Sequence, residues 1–336
     1  MTLVHDTAVR AAPSRSSAAA PLLDATGLSV TFDGESGQVP AVRGVDLALA
    51  PGEILGIVGE SGSGKSVTCQ ALLGLLPASA RVEGRILIDG CRVAAGDARA
   101  FAGLRGRTLS MIFQDPMSAL DPLMTVRRHL LQRLRRHRIP GDLERRAGEL
   151  LGDAGVTDVD RILQAYPHQL SGGQCQRVAL ALAGEPRLLV ADEPTTALDV
   201  TIQAQVLDLL GTLRRQAGLS VVLISHDLGV VAEICDRVAV MYAGQIVETG
   251  PVSEVLRTPL HHYTAGLLAA RPSLDRPRGD IVGIPGNAPP PGRVPEGCAF
   301  APRCARAMLT CRVAPELRQL SPDRATRCHM ARADDD

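Results

Sequence analysis

A single lysine, Lys65, stands among the 36 Lys and Arg residues of this chain; every other one is arginine. It stands next to last in the run Gly59-Glu60-Ser61-Gly62-Ser63-Gly64-Lys65-Ser66, which fits G-x-x-x-x-G-K-[ST], a loop whose backbone N–H groups cradle phosphates while the lysine reaches the outer phosphate oxygens. An ammonium is a compact point charge that fits between two phosphates, whereas a guanidinium is a planar fork. Arginine-favouring codon usage accounts for the rest of the basic residues, and the exception marks a position where shape matters. A second group, Asp192-Glu193, ends the apolar run beginning at Leu188. A carboxylate there can hold Mg²⁺ directly or through water, and Glu193 can orient or deprotonate an attacking water. Alone the acidic pair could cap a helix; together with Lys65 it points to phosphoryl-transfer chemistry.

These groups need strands and helices to hold them. Ile54 to Val58 is a short apolar run feeding the glycine loop, and Ser66 to Leu76, with Val67 at its start, continues at helical spacing, giving the strand–loop–helix context the phosphate motif requires. Leu188 to Ala191, Val221 to Ile224 and Val238 to Met241 have the continuous apolar character of strands buried on both faces of a parallel sheet. The predicted core is therefore α/β. Upstream, Leu28 to Phe32 and Ala41 to Leu49 alternate and read as a smaller, more antiparallel sheet. Residues 116–169 break the strand rhythm and read as mostly helical. Within them Arg127 to Arg138 is the most basic stretch, read as a solvated helix face, with contact to a partner or acidic headgroups as the alternative.

At this point the chain closely resembles the ATP-binding cassette (ABC) family of ATPases. Leu170-Ser171-Gly172-Gly173-Gln174 matches the family signature, and Ser171 precedes a helix whose free N–H groups favour an anion. The resemblance implies that this anion is the γ-phosphate of ATP bound by an opposing subunit, and hence a dimer. It also implies roles for Gln114 (contact with Mg²⁺ and water, sensing of membrane subunits), Asp199 (the loop crossing the dimer interface) and His226 (contact with the γ-phosphate). Phe32, 27 residues before the phosphate loop, is the candidate to stack on adenine, with a plain core role as its alternative. Lys65, Glu193, His226 and Gln114 are the expected catalytic set. Ser66, Gln114 and Asp192 are the expected Mg²⁺ ligands. Gly59 to Val67, Asp192, Ser171 to Gln174 and Asp199 complete the nucleotide contacts. The implied fold is a RecA-like parallel core with an antiparallel β-subdomain and a helical subdomain, spanning residues 23–255 behind a disordered leader of residues 1–22.

The tail narrows the resemblance. Leu256 to Thr264, with His261-His262-Tyr263 where the family has His-Pro-Tyr, and the cysteine-bearing run Gly297 to Cys304 look like the C-terminal extension of dipeptide and oligopeptide importer ATPases. Nickel and glutathione importers share these features, and a soluble cassette ATPase outside transport is the alternative of a different class. The resemblance implies a second cassette subunit, two membrane permeases and an external binding protein as partners, at the cytoplasmic side of the plasma membrane. Formal net charge is zero and aromatics are 2%, which argues against a nucleic-acid protein with a basic, ring-bearing face. No segment has the roughly 18 apolar residues of a membrane span.

Prolines between Pro272 and Pro295 make the extension, residues 256–336, loop-rich, so a staple is expected. Cys298, Cys304, Cys311 and Cys328, spaced C-x5-C-x6-C-x16-C, are the candidates. They lack the tight pair of most zinc sites and suit a [4Fe–4S] cluster, which the resemblance to some peptide-importer ATPases also implies. Zinc and free thiols remain open, and His329 is a bystander or alternative ligand. Cys69, Cys91, Cys175 and Cys235 read as small buried side chains, although Cys175 stands where the family commonly carries a positive charge.

Overall fold

A computed structural model describes residues 20–34, 37–196, 198–270 and 283–332. The predicted leader lies almost entirely outside these residues. Leu22, its last position, is buried and donates its N–H to the Leu49 carbonyl.

The chain opens with β1 (Leu23–Gly34) and β2 (Gly37–Leu49), then β3 (Ile54–Val58) and α1 (Lys65–Leu72). Next come β4 (Ala80–Ile88), β5 (Cys91–Val93) and β6 (Leu109–Ile112). A helical segment follows: α2 (Val126–Arg136), α3 (Leu143–Asp153), α4 (Val159–Gln164) and α5 (Gly172–Ala183). The core resumes with β7 (Leu188–Asp192), α6 (Val200–Ala217), β8 (Ser220–Ile224), α7 (Leu228–Ile234), β9 (Arg237–Tyr242) and β10 (Gln245–Pro251). The extension contributes α8 (Val252–Arg257), α9 (His262–Ala269), β11 (Arg318–Ser321) and β12 (Arg324–Thr326).

Two sheets result. The antiparallel sheet runs β2-β1-β4-β5, and the larger one runs β11-β12-β10-β9-β3-β8-β7-β6. Strands β9, β3, β8, β7 and β6 are mutually parallel, and β3, β7 and β8 are buried along their whole length. Helices and the second sheet cover both faces, as the unbroken apolar runs require. One core joins the antiparallel sheet and α1 to the parallel strands through Leu28, Leu49, Ile57 and Leu72. A second packs the helical segment on the other face through Leu130, Leu151, Val178 and Leu223.

The basic stretch is partly absorbed by the fold. Arg127 pairs with Glu144, and Arg133 donates to the carbonyls of Gly106 and Ala183, both at 3.2 Å, while Arg128, Arg135 and Arg136 face solvent. Among the cysteines read as buried, Cys69 and Cys175 are, but Cys91 is exposed on the short outer strand β5.

The extension differs most from expectation. It is not without a core: β11 and β12 carry the main sheet onward from β10, and Phe300 packs with Tyr242 and Tyr263 at centroid distances of 5.4 Å each. The fully buried Glu248 carboxylate accepts from Leu260 N–H (2.8 Å), His261 N–H (2.9 Å) and Arg324 (3.3 Å). A paired, hydrogen-bonded buried charge avoids the several kcal/mol that an orphan would cost. The strands could form because Arg318 to Thr326 contains proline only in the turn, at Pro322.

Candidate functional site

Three parallel strands deliver the site at their C-terminal ends. β3 ends at Val58 and runs into the phosphate loop, β7 ends at Asp192, and β8 ends two residues before His226. Gly64, with φ of 102°, holds the loop's last turn, and a Cβ there would lie 2.8 Å from the Ala41 carbonyl oxygen, so only glycine fits. Ser61 is exposed, while Ser63 and Lys65 are buried. Lys65 Nζ donates to the carbonyl oxygens of Gly59 (2.8 Å) and Glu60 (3.0 Å). Burial lowers its pKa, and the nearby Glu193 and Asp192 carboxylates oppose that shift. An ammonium so placed is ready to exchange carbonyl partners for phosphate oxygens.

Ser66, at the start of α1, donates its hydroxyl to Asp192 Oδ1 at 3.1 Å. Burial pushes the Asp192 carboxyl above its ordinary value. Among the described residues no three His, Cys, Asp or Glu side chains converge to hold an ion. That fits Mg²⁺, which takes few protein oxygens and keeps waters and substrate phosphates around it. A hydroxyl and a carboxylate side by side are the hard oxygen donors it prefers.

Glu193 takes the left-handed conformation, φ 47°, and its N–H is fixed by the Ile224 carbonyl at 3.1 Å. Its Oε2 is the meeting point of the site. Gln114 Nε2 lies 3.3 Å away and donates to it, Thr196 Oγ1 donates at 2.9 Å, and His226 Nδ1 lies at 3.1 Å. Gln114 and His226, 79 and 33 residues from Glu193 in sequence, thus share one oxygen with it. Thr196 was not foreseen, and its only signal was its place three residues after Glu193.

The signature lies on another face. Ser171 caps α5: its Oγ accepts from Gln174 N–H (3.3 Å) while the Gln174 side chain accepts from Ser171 N–H (3.0 Å), a reciprocal capping box. Ser171 and Gly172 are exposed. Asp199 caps α6 by accepting from Ile202 N–H at 2.9 Å, and Ile202 packs on Gly173, where a Cβ would come within 2.7 Å of it. The signature and the Asp199 segment are therefore one packed unit. Phe32 is half-buried against the antiparallel core, leaving part of its ring free.

Strand–loop–helix around Lys65, with paired carboxylates at the end of β7, two strands away across β8, defines a phosphate-loop nucleotide hydrolase. Residues 42–196 match the family described as ABC transporter, and residues 247–311 match the oligopeptide/dipeptide transporter C-terminal region. A peptide import ATP-binding protein of Brucella melitensis biotype 1 is 48% identical over 314 residues, 92% of this chain and 95% of that one. The oligopeptide transport ATP-binding protein OppD of Salmonella typhimurium is 45% identical, covering 91% and 93% of the two chains. An ATP-binding cassette solved as a dimer in a post-hydrolysis state with ADP and Pi superposes with a TM-score of 0.61 at 28% identity, over 68% of this chain and 98% of its own. The chain belongs to the ABC transporter ATPases, in the branch carrying the oligopeptide-type C-terminal region, and it hydrolyses ATP.

Proposed function

We propose that this chain powers the import of oligopeptides, as the ATPase of a complex with two permeases and an external binding protein, on the cytoplasmic side of the plasma membrane. The observation that carries the catalytic part is the convergence of Gln114, Thr196 and His226 on one Glu193 oxygen beside Lys65, Ser66 and Asp192. Lys65 and the loop amides neutralise phosphate charge. Ser66 and Asp192 would hold Mg²⁺, which when bound would supply charge stabilisation to the phosphates. Glu193, oriented by its three neighbours, positions the attacking water and takes its proton. Ser171 and the exposed N-terminus of α5 complete the site of an opposing cassette, and Phe32 offers its free ring face to adenine.

The peptide cargo is supported by the relatives and by the matched C-terminal region. No helix among the described residues is long and apolar enough to cross a membrane. An open groove of about 300 Å³, lined by Leu75, Met111, Phe113, Leu120 and Leu182 among others, is a fitting seat for a permease segment. Phe113, 42% exposed, directly precedes Gln114 and so ties that seat to Glu193. The test is ATP turnover of the reconstituted complex: loaded peptide-binding protein is expected to stimulate it several-fold. Stimulation by nickel- or glutathione-loaded binding protein alone would overturn the peptide reading.

For the extension we propose an iron–sulfur cluster on its four cysteines, a ligand set such clusters take. Cys298, Cys304, Cys311 and Cys328 line one small cavity with His262 and His329, and among the described residues no three metal-binding side chains are drawn together. Anaerobically purified protein is expected to be brown, with charge-transfer absorbance lost in Cys304→Ser. Colourless protein carrying stoichiometric zinc would refute this reading.

A further inference from the structure

Glu60, the second residue of the phosphate loop, is bound through its carboxylate, N–H and carbonyl, and two of its partners come from the far end of the chain. Arg303 grips its carboxylate with both terminal nitrogens, at 2.6 and 2.9 Å, the bidentate geometry that makes arginine–carboxylate pairs strong and directional. The Arg303 side chain is only 7% exposed. Its remaining Nε donates to the Pro285 carbonyl (2.9 Å), and its guanidinium lies 5.8 Å from the Tyr242 ring centroid and 6.0 Å from that of Phe300. Tyr263 accepts the Glu60 N–H at 2.7 Å, and the Glu60 carbonyl accepts from Lys65 Nζ at 3.0 Å. An N–H of the loop that the motif alone would aim at phosphate is therefore committed to the extension.

From this geometry we infer that Arg303 is a positioning residue for the nucleotide site: with Tyr263 it holds the phosphate loop, through Glu60, in the shape that binds phosphate. Arg303 sits on a short turn, Ala301–Arg303, directly before Cys304, and that turn is tied back by the Ala301 N–H to the Cys298 carbonyl at 2.9 Å. Any change at these thiols that moves the turn reaches Lys65 through two contacts. A second touch lies nearby: a Cβ on Gly292 of the extension would come within 3.5 Å of Val39, the cross-strand partner of Phe32. The extension thus abuts β2, the edge strand beside Phe32 of β1, as well as the phosphate loop.

The inference rests on residues 59–66 being the phosphate site, and Lys65→Ala tests that separately. If full-length Lys65→Ala binds a fluorescent ATP analogue normally, the site reading fails rather than the clamp. For the clamp, the analogue's Kd is measured on full-length Arg303→Met, Glu60→Gln and the double variant. Each single substitution is expected to weaken binding about tenfold, with KM for ATP rising more than kcat falls, as for a loss of ground-state positioning. The double variant is expected to be no weaker than either single, because both act through one contact. Arg303→Lys, which keeps the charge but loses the fork, should fall between. Affinity within twofold of the parent in soluble Glu60→Gln, or additive losses in the double variant, would overturn the inference. Glu60→Gln alone decides if Arg303→Met fails to fold, since it leaves the extension's own packing untouched.

Discussion

Lys65 shows why one lysine stands in a chain of arginines. Its slot is walled by two carbonyl oxygens at 2.8 and 3.0 Å and the residue is 7% exposed, leaving no room for a planar five-donor head. Lys65→Arg is expected to lower ATP turnover at least 10²-fold, the order seen when one preorganised donor to a transition state is lost; a steady-state phosphate-release assay checks it. Glu193→Gln keeps the hydrogen bonds from Gln114 and Thr196 but cannot take a proton. It is expected to retain ATP binding while kcat falls by 10²–10³, and wild-type turnover in the assembled complex would overturn its role as base. Cys175 also resolves at this scale. It is fully buried with its thiol 3.1 Å from Met117 Sδ, and burial raises its pKa, so it is a protonated packing residue rather than a reactive thiolate.

At the scale of elements, the unit formed by α5 and the start of α6 matters most. Gly173 meets Ile202 so closely that even a methyl group collides. Gly173→Ala is expected to destabilise the chain by about 1–3 kcal/mol, the usual cost of overpacking, and Ile202→Ala in the same chain to recover part of it; urea-unfolding midpoints of the three proteins check this. Strand and helix positions were legible here because their signals are local. Continuous apolar runs mark β3, β7, β8 and β9, and the Ser171–Gln174 spacing marks a capped helix. The two strands of the extension were not, since both are short and polar: Arg324–Thr326 is buried where it pairs with β10, and Arg318–Ser321 joins the sheet through β12 and stays largely accessible.

For the whole molecule, the extension and the core form one continuous sheet, and their joint carries a titratable group. His261 is 3% exposed, and burial pushes its pKa down from 6.5 to about 3. Between those values the unfolded chain binds the proton and the folded chain does not, so stability rises with pH across this window and is lost as pH falls through it. One such group costs about 1.4 kcal/mol per pH unit well inside the window. His261→Asn, which keeps a side-chain acceptor for the Tyr263 N–H, is expected to flatten that slope in thermal midpoints measured from neutral to acid pH. Persistence of the full slope would place the acid sensitivity elsewhere.

The sequence alone determined the phosphate loop, the acidic pair, the signature and the α/β core, because each is written in neighbouring residues whose spacing mirrors backbone geometry. Even the distant members Gln114 and His226 could be singled out only through resemblance. Tertiary structure decided that they share one oxygen of Glu193, that Thr196 joins them, and that Arg303, 243 residues from Glu60, grips the phosphate loop. No periodicity signals such a contact. Two side chains so far apart along the chain, one on a loop and one on a short turn, meet only once the extension has packed against the core, and their pairing is a property of that packing rather than of either segment.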